Sequence, residues 1–289
     1  MNYAKKNISE NIGPHLGRDE KIKKSYSDTL DSWANWYDNL DVEDILPTAY
    51  TLRHTEEFDI YNKYINKDSR ILEAGCGLGN QVIYLQRKGF NVFGVDQAEG
   101  ALKKVKTYDP TLPVLTADIH KLPFSNSSFD VYLSFGVLEH FPSGPMQALK
   151  EANRILTKNG IIVVTMPGSY LLSRIASGQS SDLYSSLKNS PLLRKIFKKP
   201  MPQKPIFAIS YSKERIANFL EEAGFTILKL LPTGHDFIWY TLIPFFRQNN
   251  LGIAKPVGVK VAHFIRRFFP WRTSFYTFVL ARKTEDINT

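Results

Sequence analysis

Three glycines at alternate positions, Gly75, Gly77 and Gly79, follow a short apolar run that ends in the acid Glu73. Glycines let a turn take backbone conformations that are closed to other residues, and they let a ligand lie directly against the peptide groups. The spacing E-x-G-x-G-x-G does not fit the G-x-G-x-x-G turn that holds a dinucleotide pyrophosphate, because Asn80 or Val82 stands where the last glycine is needed. We therefore expect a ligand-binding loop of another kind.

A second acid, Asp96, ends the apolar stretch Phe90–Asp96. It lies roughly 20 residues beyond the glycines, where a carboxylate at the tip of a second strand accepts hydrogen bonds from both hydroxyls of a ribose. We predict that Asp96 is a ribose ligand, with a helix N-cap as its alternative role. Cys76 is the single cysteine, which excludes an intramolecular disulfide and a cysteine-based zinc cluster. Its place between two loop glycines favours packing over a nucleophilic role.

The elements that must position these residues alternate between strand and helix. Apolar runs predict strands at Ile71-Leu72, Phe90–Asp96, Pro113–Asp118, Val131–Phe135, Ile161–Met166, Thr226–Leu231 and Ser274–Ala281, the last of them antiparallel. Such alternation is typical of an α/β fold with a doubly wound sheet, in which ligands bind at the carboxyl ends of the strands.

The motif from Glu73 to Gly79 resembles motif I of the class I S-adenosylmethionine-dependent methyltransferases. The stretches Gly-Val-Leu-Glu-His-Phe at 136–141 and Ala148–Gly160 extend the resemblance to the type 11-like subgroup, over about residues 69–167. It implies a Rossmann-like, doubly wound, seven-stranded sheet with six parallel strands and an antiparallel last strand. It also implies S-adenosyl-L-methionine as the cofactor.

The resemblance further implies which residues hold that cofactor. The glycine loop would wrap its amino-acid part, the carboxylate of Asp118 would take the adenine amine, and Ile119 would cover the ring. Arg53 is expected to pair with the cofactor carboxylate, a solvated arginine being the alternative. The full predicted set is Glu73, Gly75, Cys76, Gly77, Gly79, Asp96, Gln97, Asp118, Ile119, Ser134, Arg53 and Tyr26.

Methyl transfer from a sulfonium is an in-line displacement, so nucleophile, methyl and sulfur must be aligned and water kept out. A hydroxyl or carbon acceptor must also lose a proton, and we predict His140 as the base, or else as a residue that orients the following helix. His235, Tyr170 and Tyr240 are weaker candidates. Ser134–Val137 replaces the N-P-P-Y type of tetrapeptide, which disfavours base or amide methylation. No cluster with Mg²⁺-ligand spacing is visible, and no metal is predicted.

We divide the 289 residues into a flexible tail (1–20), an N-terminal helical cap (21–66), a methyltransferase core (67–167 and 209–283) and two lid insertions (168–208 and 235–271). The insertions carry net charges of +6 for Gly168–Ala208 and +4 for His235–Trp271, against +9 for the whole chain. The basicity therefore belongs to the insertions. Their interleaved aromatics suit an anionic amphiphile, an acidic membrane surface or nucleic acid, with ordinary solvated helix faces as the alternative.

Within the second insertion, helical spacing puts Val261, Phe264, Ile265 and Phe268 on one face, and Lys260, His263 and Arg267 largely on another. Such a helix either roofs the active site with its apolar face inward or lies on a membrane. We expect the roof, with membrane contact as a secondary role.

These patterns predict methyl transfer to a small or lipid-like acceptor at an oxygen, nitrogen or carbon atom, and the basic insertions allow that acceptor to be anionic. Three alternatives stay open: an RNA (tRNA) methyltransferase that uses the basic insertions, a non-catalytic S-adenosylmethionine-binding protein, and, least favoured, a dehydrogenase. The N-terminus has no apolar signal segment, which predicts a cytoplasmic protein, peripheral at a membrane in the secondary role.

Overall fold

The computed structural model describes residues 33, 35–170, 172–173, 208–248 and 253–284. Residues 35–38 are helical and lead into the bounded helices. These are α1 Val42–Ile45, α2 Leu52–Tyr61, α3 Asn80–Arg87, α4 Glu99–Tyr108, α5 Met146–Ile155, α6 Lys213–Glu222, α7 His235–Leu242 and α8 Pro256–Arg266. Short 3₁₀ turns occupy Leu46–Tyr50, Asn62–Tyr64, Leu138–His140 and Pro244–Phe246.

Seven strands form one mixed sheet in the order β3-β2-β1-β4-β5-β7-β6. They are β1 Arg70–Ala74, β2 Asn91–Asp96, β3 Val114–Thr116, β4 Phe129–Phe135, β5 Leu156–Pro167, β6 Phe225–Thr233 and β7 Tyr276–Lys283. β7 is antiparallel to both of its neighbours, and the other six strands share one direction. The predicted Rossmann-like sheet, with six parallel strands and an antiparallel last strand, is confirmed.

Several strand boundaries differ from the prediction, and the largest shift is at the start of β5. β4 and β5 begin earlier than expected because Phe129 pairs with Leu156 across a bulge, before the regular register starts at Val131 and Ile161. A bulge interrupts the alternation of apolar residues, so the residues before it do not show the pattern of a strand.

The side chains of successive residues in each strand point to opposite faces of the sheet. Ile71 of β1 packs in a cluster with Phe58 of α2 and Ile83 of α3, whereas Leu72 packs with Ala148 of α5 and Ile216 of α6. The central strands are covered on both sides, as parallel strands require. The carboxyl ends of β1, β2 and β4 are thereby held side by side, and the loops that follow them meet.

The exposed face of α8 differs from the prediction. Gly258 and Ala262 face inward and are buried, whereas Phe264 and Phe268 are 63% and 64% exposed. A Cβ at Gly258 would lie 2.8 Å from the Phe246 side chain, so the absence of a side chain lets the helix backbone approach that ring. The expected inward turn of the apolar face is therefore wrong, because close packing at two small residues sets the helix rotation. Among the described residues, no helix is long and apolar enough to cross a bilayer.

Candidate active site

The loop after β1 is fixed to the tip of β2 by its backbone. Gly75 and Cys76 donate hydrogen bonds to the Val95 carbonyl at 2.8 and 3.0 Å. Gly75, Gly77 and Gly79 all have positive φ, at 83°, 51° and 73°, which explains why glycine stands at each position. Gly79 is also the N-cap of α3, and the helix starts directly from the loop.

Asp96 holds this loop from the next strand. Its Oδ2 accepts from the Gly77 amide at 2.8 Å, and its Oδ1 accepts from the Ala98 amide at 2.8 Å. The second bond satisfies the backbone amide of Ala98, and Ala98 rather than Asp96 is the N-cap of α4, so the N-cap alternative for Asp96 is wrong in detail. Each carboxylate oxygen has a further lone pair, so both bonds leave room for ligand hydroxyls. Asp96 thus has a structural role, and its role as a ribose ligand stays a prediction.

An aromatic cluster covers the glycine loop from the N-terminal side. Trp33 is stacked on Tyr37 at 5.7 Å and meets the His140 ring edge-on at 5.4 Å. A Cβ built on Gly77 would lie only 2.7 Å from the Tyr37 hydroxyl. The loop glycine therefore accommodates the cap as well as any ligand. Tyr26, which was predicted to contribute from the same region, lies outside the described residues.

Lys104 of α4 anchors this cap. Its ammonium donates to the carbonyls of Tyr37, Asp38 and Leu40 at 2.9, 2.9 and 2.8 Å, and it lies 3.4 Å from the Asp41 carboxylate. Cationic donors stabilise the unpaired carbonyls at the end of a helix. Sequence reasoning missed this residue because an isolated lysine on a helix looks like an ordinary solvated charge.

A cavity of about 360 Å³ lies between the cap and the carboxyl ends of the strands. This is within the range of about 300–1,000 Å³ that is usual for small-molecule sites. Predicted residues that line it are Glu73, Gly75, Cys76, Gly77, Asp96, Gln97, Arg53 and His140. Aromatic rings line much of the rest, from Trp33, Trp36, Tyr37, Phe135 and Phe141. The structure therefore brings most of the predicted site together.

Four predicted ligands do not line this cavity. Gly79 faces Val105 of α4, and Ile119 is buried in the core. Ser134 donates to the Ala74 carbonyl at 3.0 Å, which ties β4 to β1. Asp118 accepts from the His120 backbone amide at 2.9 Å, and its carboxylate lies 2.7 Å from His120 Nδ1. Their predicted contacts with a cofactor remain predictions.

Burial opposes ionisation of the acids in the cavity. The pKa of Glu73 is raised well above its ordinary value, by burial first and by the charge of Asp96 second. Burial also raises the pKa of Asp96, although the amides of Ala98 and Gly77 stabilise its anion. Glu73 Oε2 is fully buried and has no hydrogen-bond partner among the described residues. An unpartnered buried carboxylate is costly, and a cation that enters the cavity would offset that cost.

Arg53 and His54 of α2 enter the cavity from the side opposite the glycine loop. Arg53 lies 3.4 Å from Glu57, and its guanidinium stands 4.1 Å over the Tyr276 ring. Burial and the charge of Arg53 lower the pKa of His54 well below its ordinary value, which keeps its imidazole neutral. His54 was missed by sequence reasoning, because nothing in the local pattern distinguishes it from other polar residues of the helix.

The weaker candidates for a base lie elsewhere. His235 contacts Thr273 Oγ1 and the Pro232 carbonyl at 3.1 and 3.2 Å. Tyr170 pairs with Thr277 at 2.7 Å, and burial raises its pKa to about 12. Tyr240 is 1% exposed, and no described residue from 235–271 lines the cavity. The first predicted insertion is described only at its two ends, so the predicted role of residues 168–208 stays a prediction.

The central part of the chain matches a protein-family model and curated relatives. The family model described as "Methyltransferase domain" matches residues 72–164. An uncharacterized protein of Methanocaldococcus jannaschii is 32% identical over 140 residues, which are 48% of this chain and 53% of the relative. A probable S-adenosylmethionine-dependent methyltransferase of Mycobacterium tuberculosis is 31% identical over 103 residues, which are 36% and 37% of the two chains. This chain thus spans about half the length of the first relative and about a third of the second.

Structural comparison agrees on the fold. The 1,6-didemethyltoxoflavin-N1-methyltransferase of Burkholderia thailandensis, solved with 1,6-didemethyltoxoflavin and S-adenosylhomocysteine, superposes with a TM-score of 0.53. The superposition covers 90% of this chain and 87% of that one, at 14% identity. At this identity the likeness shows a shared fold and leaves the substrate of this chain to be derived from its own residues.

Proposed function

We infer that this chain, which belongs to the class I S-adenosylmethionine-dependent methyltransferases and carries their type 11-like domain, methylates a small-molecule or lipid-like acceptor. One observation carries the inference. A buried carboxylate oxygen, Glu73 Oε2, has no hydrogen-bond partner among the described residues, and Glu73 lines an aromatic cavity next to a glycine loop that Asp96 holds in place. This arrangement suits a cation that is held against the backbone.

The residues present fit the cofactor. S-adenosylmethionine carries a sulfonium and an ammonium group, both positive at neutral pH, and the buried acids Glu73 and Asp96 provide the complementary charge. Two buried donors line the same cavity: Gln81 Nε2 has no hydrogen-bond partner among the described residues, and Arg53 Nε makes no hydrogen bond there but lies 3.4 Å from Glu57 Oε1 in an ion pair. They suit the carboxylate of the cofactor, because unsatisfied buried donors gain most from a charged acceptor.

When bound, the cofactor would supply a methyl group whose carbon the acceptor attacks in line, while the carbon–sulfur bond breaks and S-adenosylhomocysteine leaves. The chain then has to orient the acceptor and exclude water. Trp33, Trp36 and Tyr37 provide the cover, and Lys104 holds the end of their helix in place. The aromatic lining favours an acceptor with an apolar or planar part.

A proton must leave a hydroxyl or carbon acceptor, and two imidazoles of the cavity are placed to take it. His140 lies against Trp33, and its Nε2 is 3.9 Å from Glu139 Oε1, close enough for that carboxylate to stabilise an imidazolium. His54 is the second imidazole, and its lowered pKa makes it the weaker base. We assign the proton to His140. An amine acceptor that is already neutral needs neither residue.

The acceptor class is tested by following the methyl group. Purified protein is incubated with methyl-labelled S-adenosylmethionine and an extract of the source cells, and lipid, small-molecule and RNA fractions are counted separately. We expect label in the lipid or small-molecule fraction. Label confined to RNA would replace the proposed acceptor class with the tRNA alternative. Binding of the cofactor without transfer to any fraction would favour a non-catalytic binding protein.

Removing the lysine that anchors the cap should weaken cofactor binding. Lys104→Met keeps the length of the side chain but deletes three charge-assisted hydrogen bonds, so the cap must be ordered again when the cofactor binds. We expect an affinity loss of about tenfold or more by calorimetry, from roughly 1.5–3 kcal/mol for a hydrogen bond to a charged group. Lys103→Met, on the same helix and exposed, is the matched control. Equal affinities for the two variants would remove Lys104 from this role.

A further inference from the structure

We propose that α8 and the segment before it form a docking face for an anionic phospholipid surface. The docking face consists of Phe245, Val257, Lys260, Phe264, Arg267 and Phe268. It is distinct from the cavity, since none of these residues lines it. The proposal therefore stands or falls independently of the acceptor.

The apolar part of the docking face is exposed and continuous along the helix. Val257 and Phe264 lie seven residues apart on one side of α8, and Phe268 follows four residues after Phe264, in the turn just beyond the end of the helix at Arg266. They are 44%, 63% and 64% exposed, and the rings of Phe264 and Phe268 are 5.5 Å apart. Phe245, 66% exposed, lies at the start of the helix with its ring 5.2 Å from Lys255 Nζ. Large exposed aromatics grouped in this way mark an interaction surface.

Charge decides which partner this surface fits. The stretch 237–273 contains no Asp or Glu, and it contains six cations, namely Arg247, Lys255, Lys260, Arg266, Arg267 and Arg272. Lys260 and Arg267 are exposed and border the apolar residues. Lys260 lies about one helical turn after Val257, and Arg267 lies about one turn after Phe264. Apolar rings bordered by cations are the arrangement of an interfacial helix, with rings in the acyl boundary and cations at the phosphates. The exposed cations Lys260 and Arg267 beside these rings favour an acidic lipid surface over a neutral one.

Contacts on the inner side of α8 hold the helix so that the docking face points to solvent. Arg266 forms a two-pronged ion pair with Glu56 of α2, at 2.8 and 3.0 Å, on the side of α8 away from Phe264. The buried Gly258 and Ala262 pack the same inner side. Glu56 belongs to α2, the helix that also carries Arg53 and His54, so this ion pair holds α8 against an element that lines the cavity.

Co-sedimentation with vesicles tests the proposal on the full chain. Vesicles of phosphatidylcholine alone are compared with vesicles that also contain phosphatidylglycerol. We expect wild type to bind only the anionic vesicles and to be released at about 1 M salt, where charges are screened over about 3 Å. Lys260→Gln with Arg267→Gln should weaken binding about 30-fold, and Phe264→Ala with Phe268→Ala at least tenfold. Arg266 is left intact because it holds α8 in place.

Matched control variants remove exposed cations or an exposed apolar side chain at positions outside the docking face. Lys103→Gln with Lys150→Gln deletes two exposed cations on other helices, and Leu115→Ala trims an exposed apolar residue on β3. Both should bind vesicles as wild type does. The proposal is overturned if wild type ignores anionic vesicles, or if the control variants lose as much binding as the docking-face variants. It is equally overturned if the phenylalanine variants only convert a dimer to a monomer, because the face would then join two copies of the chain.

Discussion

Replacing Gly77 by valine should reduce the affinity for S-adenosylmethionine by more than 100-fold. Gly77 has φ at 51°, a conformation that costs a β-branched residue most. The added Cβ would also lie 2.7 Å from the Tyr37 hydroxyl, so the two methyl groups of valine would push the cap off the loop. The Gly77 amide donates to Asp96, and a shifted loop would lose that bond as well.

Gly89→Val separates this effect from backbone strain alone. Gly89 has φ at 78°, but a Cβ there would meet no atom within 4 Å, and the residue lies after α3, away from the cavity. Both variants should therefore lower the unfolding temperature, and only Gly77→Val should lose calorimetric binding. If the two variants bind the cofactor equally well, the close approach of Tyr37 to the loop has no functional meaning.

The sequence predicted well those residues of the site whose positions depend on nearby parts of the chain. Gly75, Gly77 and Asp96 are fixed by a strand, a turn and the next strand, and each leaves a local mark: glycines where φ is positive, an acid where a strand ends. Predictions for these residues needed the periodicity of strand and helix, the spacing of the glycines and the acid, and the resemblance to motif I. In the structure all three residues line the same cavity.

The rest of the site depends on contacts between distant residues. Asn80 at the start of α3 donates to Thr48 Oγ1 at 2.9 Å, and Lys104 reaches back to Tyr37 across 67 positions. Neither partner can be identified from a single sequence, because polar residues on helices look alike whether solvated or paired. The rotation of α8 was mispredicted for the same reason, since it depends on the Phe246 ring next to Gly258. Helical periodicity reveals an apolar face, but it does not reveal whether two small residues turn that face outward.

The second large effect concerns Glu73, where the requirements of folding and of binding oppose each other. Glu73→Gln should make the ligand-free protein more stable at neutral pH, because burial raises the pKa of the carboxyl. A carboxyl whose folded pKa is raised costs no stability below its unfolded value of about 4.3, and it lowers stability as the pH rises above that value. Glutamine does not titrate, so the gain in unfolding temperature should grow as the pH rises above about 4.3.

The same substitution should weaken S-adenosylmethionine binding by about 10- to 100-fold at pH 7. An ionised Glu73 offsets the positive charge of the cofactor, and loss of that interaction costs roughly 1.5–3 kcal/mol of binding free energy. Wild-type affinity should rise as the pH increases above the ordinary glutamate pKa of about 4.3, because the pKa of the buried carboxyl is raised and the cofactor draws the carboxyl into its ionised form. In Glu73→Gln this dependence should be shallower, with Asp96, whose pKa is also raised, supplying what is left.

Asp236→Asn is the control that links the two measurements on Glu73→Gln. Asp236 is buried and its pKa is raised by burial, but it does not line the cavity. Its replacement should therefore stabilise the protein with the same sign of pH dependence, while the pH profile of cofactor affinity stays that of wild type. Calorimetry and thermal unfolding across the pH range give both profiles for each variant. If Glu73→Gln kept the wild-type affinity profile, the buried carboxylate would not be the counterion of the cofactor, and the observation that carries the proposed function would have to be explained by packing alone.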